Sequence, residues 1–423
     1  MRNNHQQSIK NRCSYTDADK LLKKAVTIPF SELLLAELGL DIRSFPFHSS
    51  FRSMLPEGNE YLNLHGKQRA VLWQYLQQNT HSNKHVFGWL EIPDEEIAEN
   101  NDFRYLVFLP HGMKKAEKAV FLFHGLNERR WDKYFAWAYT LACSLGCAVI
   151  LFPIAFHMNR APEAWANPRL MQAVVRERKA MFPDNSFASF ANAAISMRLQ
   201  TVPARFIYSG LQTMDDIVTL IAMIRAGLHQ HISPSAQFDM FGYSIGAFLG
   251  EMLLLSHSGG LFDTSKLVLF CGGAAMDLSY PVSKIILDSE AAQAVGAFAG
   301  PDIRNKIAAD QRLFQTLALY ENETDTFGFL VNSHLNPMMR RYAFQSVRNR
   351  ILSISMSKDR VIPPASVRQT LNGDADKTSP FDHELDFPYA YTHENPFPFN
   401  GENTMEVENG FDTVFQLAAD FLG

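Results

Sequence analysis

Long hydrophobic runs are missing from this 423-residue chain. One of the most apolar stretches, CAVILFPIAF at 147–156, falls well short of the roughly 20 residues that cross a bilayer as a helix. The first residues, MRNNHQQSIKNRC, lack the apolar segment that a signal peptide needs. Neither a membrane span nor a secretory leader is therefore expected. Basic clusters are missing too. The formal net charge is −5, and without clustered Lys and Arg to neutralise phosphates, nucleic acid is not an expected partner. Cysteine is scarce. Cys13, Cys143, Cys147 and Cys271 match no metal-ligand spacing and are too few for a disulfide scaffold. They read as buried free thiols, which fits a cytoplasmic protein. No metal pattern, Walker motif or dinucleotide fingerprint occurs, so no cofactor is implied. Nothing in the chain speaks to oligomeric state.

What is present is an ordinary globular composition, 47% hydrophobic and 20% charged, with length enough for a large core. Residues 1–83 read as a mostly helical extension, with FSELLLAELGL (30–40) and KQRAVLWQYLQQN (67–79) at helical spacing. The period then changes. HVFGWLEI (85–92), FRYLVFLP (103–110) and KAVFLFHG (118–125) read as strands. WDKYFAWAYTLACSLG (131–146) is an expected helix closed by Gly146. CAVILFPI (147–154) is a continuous apolar strand of the kind covered on both faces. A helix over 214–228, a strand over 236–242, a helix over 247–258 and a strand over 266–273 follow. After them come helices over 310–323 and 337–349, strands over 351–357 and 384–393, and a closing helix over 410–422.

This alternation from residue 118 onward predicts an α/β fold with a mostly parallel sheet and helices on both faces. Two segments interrupt it, 155–205 and 276–345. Each follows the C-terminal end of a strand, the edge where open α/β sheets bind ligands, so each is expected to form a cap or lid.

Ser244 is the focus. It lies in FDMFGYSIGAFLGEMLLLS (238–256), between a strand and a helix. Gly242 and Gly246 allow the close strand–helix approach that a nucleophile elbow requires; the other reading is a serine in a glycine-rich turn. A nucleophilic serine needs a base, an orienting acid and oxyanion donors. FLFHGLNERRW (121–131) leaves a strand through His124-Gly125, which makes the backbone N–H of Leu126 one expected donor and that of Ile245 the other. His124 itself reads as structural. For the acid, Asp359 follows the strand 351–357, and Asp277 follows the strand 266–273. For the base, His393 lies downstream in AYTHENPFP (390–398), whereas His383 precedes that strand.

Together HGLNE (124–128), GYSIG (242–246), SKDRVIP (357–363) and THENP (392–396) resemble the α/β-hydrolase superfamily. The run ILFPIAFHMNRAP (150–162) with GYSIGAFLGE looks like a bacterial family of capped α/β-hydrolases with no established substrate. The resemblance covers 84–154, 206–275 and 346–423 as core. It implies an eight-stranded, mostly parallel sheet and a Ser244, His393, Asp359 triad acting without a cofactor on an ester, thioester or amide. A small-molecule substrate is the expected partner. Acyl transfer to another acceptor and a non-catalytic binding role on the same scaffold are the alternatives. Segment 155–205 carries Arg160, Arg169, Arg176, Arg178, Lys179, Arg198 and Arg205 against Glu163, Glu177 and Asp184. That excess reads either as a solvated helix face or as a site for an anionic substrate, with Arg160 and His157 nearest the strand end. Tyr243 and Asn127 complete the candidates for substrate binding.

Overall fold

The computed structural model describes residues 13–27, 38–51, 94–256, 260–303, 305–306, 321–398 and 404–423. The expected helix over 67–79 and strand over 85–92 lie outside the described residues, as do most of 30–40 and 310–323. In chain order the elements are α1 (Tyr15–Thr27), β1 (Leu40–His48), β2 (Asp102–Pro110), β3 (Ala116–Phe123), α2 (Asp132–Leu145) and β4 (Ala148–Leu151). Then come α3 (Pro168–Met181), α4 (Ala193–Thr201), α5 (Arg205–Arg225), β5 (Ile232–Tyr243), α6 (Ile245–Leu255) and β6 (Leu267–Phe270). The chain continues through α7 (Ser289–Phe298), α8 (Glu321–Val331), α9 (Pro337–Ser346), β7 (Ile351–Met356), α10 (Pro364–Asn372), β8 (Asp382–Leu385) and α11 (Thr404–Leu422).

The eight strands make one sheet in the order β1-β2-β4-β3-β5-β6-β7-β8. Only β2 runs against its neighbours; β4 through β8 are parallel. This is the α/β-hydrolase fold. Its central strands are apolar on both faces because each face is covered. Phe121, Phe123, Phe238 and Met240 pack under α5 and α6. Val120, Leu122, Phe241 and Val268 pack under α2 and α11. Gly146 ends α2 in the left-handed conformation (φ 58°) and donates to Ala142 O, as a C-cap glycine should. Among the described residues no helix is long and apolar enough to cross a membrane.

Two expectations change. Leu40–His48 is a strand, not part of a helical extension, and it pairs antiparallel with β2 along its whole length. Its inward residues switch faces, Leu40 and Ile42 to one core and Phe47 to the other, which breaks the simple alternation that marks a strand. The strand expected over 384–393 is Asp382–Leu385 instead. It stops before Phe387-Pro388, where proline has no N–H to donate to a ladder. His383 thus lies inside β8, opposite Ile354.

The segments around 155–205 and 276–300 are fastened by buried ion pairs. Arg178 of α3 holds Asp288 through two hydrogen bonds of 2.7 and 2.8 Å, while Asp288 also caps α7 by accepting from Ala291 N–H. Asp94 receives both Arg198 and Arg205. Arg160 pairs with Asp216 at 2.8 Å, and its guanidinium lies 4.0 Å from the Phe103 ring centre.

Candidate active site

The C-terminal ends of β3, β5 and β7 lie at one edge of the sheet and each leads into one group, while a loop beyond β8 brings the fourth. After β5 the chain turns at Ser244, whose φ of 57° and ψ of −121° lie where residues with a side chain are strained. The turn is possible because two glycines allow close contact. A Cβ on Gly242 would sit 2.5 Å from Ala247 Cα, and one on Gly246 would sit 2.6 Å from Phe123 O. Ile245 is the first residue of α6, so its N–H has no acceptor within the helix. Leu126 lies on the loop after β3. Leu126, Ser244 and Ile245 line one cavity.

Asp359 follows β7. Its Oδ1 accepts from the N–H of Val361 and of Ile362, both at 2.9 Å. Its Oδ2 lies 2.7 Å from His393 Nδ1, and His393 Nε2 lies 2.8 Å from Ser244 Oγ. With Asp359 ionised, Nδ1–H donates to the carboxylate and Nε2 accepts from the serine hydroxyl. All three side chains are buried. His393 reaches this position from a loop beyond β8, not from a strand end. Asp277 also lines the Ser244 cavity, but it makes no hydrogen bond to His393 among the described residues. Its carboxylate accepts from the N–H and hydroxyl of Ser333, at 2.9 and 2.7 Å.

The four substrate-binding candidates divide differently from expectation. Tyr243 is buried beneath the site; its hydroxyl donates to His393 O, and its ring stacks on the imidazole at 5.7 Å. Asn127 (φ 62°) donates to Ala191 O and Ile285 O, tying the Leu126 loop to both inserted segments. His157 is buried with Nδ1–H donating to Ala155 O, and burial pushes its pKa down to about 4. Arg160 is fully buried on Asp216 and does not line the Ser244 cavity. The reading of Arg160 as a substrate contact is corrected. The alternative of a solvated face fails for Arg160, Arg178 and Arg198, since all three are buried on carboxylates from outside the segment.

His124 is structural, as expected. Its Nδ1–H donates to Gly125 O, its Nε2 accepts from Ile154 N–H, and burial holds its pKa well below the usual value. Sequence reasoning missed a supporting cluster. Tyr134 OH accepts from Gly125 N–H at 2.9 Å and donates to Glu128. Lys133 bonds Glu128 and Glu394 O, with its ammonium 4.5 Å above the Tyr243 ring. The cluster joins the Leu126 loop, the elbow and the His393 loop. A Glu-Lys pair five residues apart carries no sequence signature. Cys271 is a buried free thiol, as expected; burial, with Asp359 beside it, pushes its pKa well up.

The cavity at Ser244 has a volume of about 240 Å³ and is mostly apolar. Phe206, Phe248, Ile286, Leu287, Val295 and Ile362 are among its walls. Residues 276–300 supply much of one side.

A family of unknown function (DUF6051) matches residues 13–423. No curated protein matches the chain. Among solved structures, an esterase of Pyrobaculum calidifontis is 13% identical, with 84% of this chain and 92% of that one covered at a TM-score of 0.38. The peroxisomal α/β-hydrolase Lpx1 of Saccharomyces cerevisiae is 11% identical, with 90% of each chain covered and a TM-score of 0.39. Esterase Est22 is 13% identical, covering 98% of this chain and 91% of its own, with a TM-score of 0.42.

Proposed function

We propose that this chain, which belongs to the family of unknown function DUF6051, is a serine hydrolase acting on an ester, thioester or amide. The observation that carries the reading is the continuous Asp359–His393–Ser244 line, with 2.7 and 2.8 Å between partners, at the wall of a cavity. Ser244 Oγ attacks the carbonyl carbon and passes its proton to His393 Nε2. Asp359 fixes the imidazole tautomer and stabilises the imidazolium. The N–H groups of Leu126 and Ile245 stabilise the tetrahedral oxyanion. The leaving group departs with the proton from Nε2, giving an acyl-Ser244. A water then attacks that ester, gives its proton to Nε2, and the acid leaves as Ser244 recovers its own.

In this reading 155–205 and 276–345 form caps over a core that includes β1 as well as 84–154, 206–275 and 346–423. A cavity of about 240 Å³ is below the roughly 300 Å³ at which drug-sized ligand pockets begin, so the substrate is a small molecule. The free thiols fit a cytoplasmic setting. The test is a fluorophosphonate probe on the wild type and on Ser244→Ala. Labelling of the wild type alone, with loss of esterase turnover in the variant, is expected. An unlabelled wild type, or equal labelling of both, would sink the assignment.

A further inference from the structure

A second chamber lies beside the Leu126 loop. Its volume is about 40 Å³, and Asn127, Arg129, His157, Arg198 and Arg205 are among its walls. Leu126 and Phe206 line both this chamber and the Ser244 cavity. Three arginines line the chamber, with too little negative charge to match them. Arg198 and Arg205 share the single carboxylate of Asp94. Arg129 forms no ion pair among the described residues; its Nη2 donates to the neutral Asn127 Oδ1 at 2.9 Å. The nearby acids are committed elsewhere, Glu128 to Lys133, Asp216 to Arg160 and Asp288 to Arg178. Two positive charges are left over.

Their donors are left over as well. Arg129 Nε and Arg198 Nη1 are buried with no acceptor among the described residues. Uncompensated buried charge and orphaned donors are costly unless a ligand completes them. Burial pushes both guanidiniums down to about 10, which still leaves them charged at neutral pH. The chamber exceeds the roughly 10–15 Å³ that one water needs, yet it is too small for a bulky anion. A guanidinium fork matches a carboxylate in shape and charge.

We propose that this chamber is a carboxylate subsite, and that the substrate is an ester, thioester or amide bearing a carboxylate on one arm. The proposal rests on Ser244 as nucleophile: the reacting carbonyl lies at Ser244 and the acidic arm passes Leu126 and Phe206 to reach Arg129. The other arm occupies the apolar cavity.

Two measurements test it. The first compares kcat/KM for the 4-nitrophenyl hemiesters of glutarate and adipate with neutral 4-nitrophenyl esters of equal length, and 4-butyryloxybenzoate with phenyl butyrate. At least one acidic ester is expected to be preferred tenfold or more. That ratio should fall tenfold or more in Arg129→Gln, be partly kept in Arg129→Lys, and stay unchanged in Arg130→Gln, whose side chain is exposed. The second measures thermal stabilisation of Ser244→Ala by adipate against dimethyl adipate, with and without Arg129→Gln. Turnover of neutral esters without any preference for acids, together with no shift from adipate, overturns the subsite and leaves the nucleophile standing. An Arg129-dependent shift from adipate in a protein that takes no fluorophosphonate label upholds the subsite and overturns the hydrolase reading.

Discussion

Glu251 should make this protein less stable as the solution becomes alkaline. It lies on α6, two turns beyond Ser244, fully buried, and neither carboxylate oxygen has a hydrogen-bond partner among the described residues. Burial raises its pKa from 4.5 to about 8, because the charged form has lost its water. The unfolded chain releases this proton near 4.5, while the folded chain holds it to about 8. Between those values the folded state binds one proton more, so its stability falls as pH rises. The contribution is complete below about 4.5 and gone above about 8. Over that window, at about 1.4 kcal/mol per pH step, the loss is on the order of 5 kcal/mol. Glu251→Gln keeps the shape and removes the titration. Urea unfolding of both proteins from pH 5 to 9 should give curves that diverge steadily up to about pH 8 and run parallel beyond it, with the variant the more stable at the alkaline end. A constant difference between the two at pH 5.5 and 8.5 would refute the reasoning. The consequence reaches the site, because Gly273, which packs near Glu251 Oε1, lines the Ser244 cavity.

Three further outcomes are expected. Asp359→Asn retains an acceptor for Val361 and Ile362 but offers His393 the wrong partner, so kcat should drop by about 10⁴; a loss under tenfold in steady-state turnover would remove Asp359 from its role. Gly246→Ala drives a Cβ to 2.6 Å from Phe123 O, an overpacking against backbone that should cost about 1–3 kcal/mol. It should also slow fluorophosphonate labelling as Ile245 N–H is displaced, and an unchanged urea midpoint and labelling rate would contradict it. Arg178→Met strands Asp288 in the interior and should cost about 3–5 kcal/mol; the added change Asp288→Asn, which keeps the α7 cap, should recover much of that loss in the same unfolding assay.

The elbow was legible because its chemistry is local. Gly242, Ser244 and Gly246 fall within five residues, and the contact that demands glycine at 242 comes from the helix that follows, although the one at 246 comes from Phe123 at the end of β3. The acid was legible in part. Two carboxylates follow strand ends, and what separates them is invisible in sequence: Asp277 is engaged by Ser333, which comes to it from a distant segment. Chain order points to His393 as the candidate base, although the strand that precedes it ends at Leu385. Its loop is held instead by the Tyr243 hydroxyl and by Lys133 bonding Glu394 O. β1 was illegible because its buried side chains change face partway along.

The charge of 155–205 shows why a local count of charged residues misleads. Four of its arginines find their acids outside the segment, at Asp94, Asp216 and Asp288. A stretch that is cationic by composition is therefore largely neutralised by its partners, and those pairs act as fasteners between segments. Substrate charge has to be read from the guanidiniums that remain once every nearby acid is assigned. By that measure Arg160 drops out, since Asp216 is its own. Arg129 comes in, although it sits outside the segment in the plain loop sequence NERRW. The two arginines should then differ in what their loss does. Removing Arg160 leaves Asp216 buried without its cation and falls on stability, whereas removing Arg129 relieves an uncompensated charge and falls on the choice of substrate.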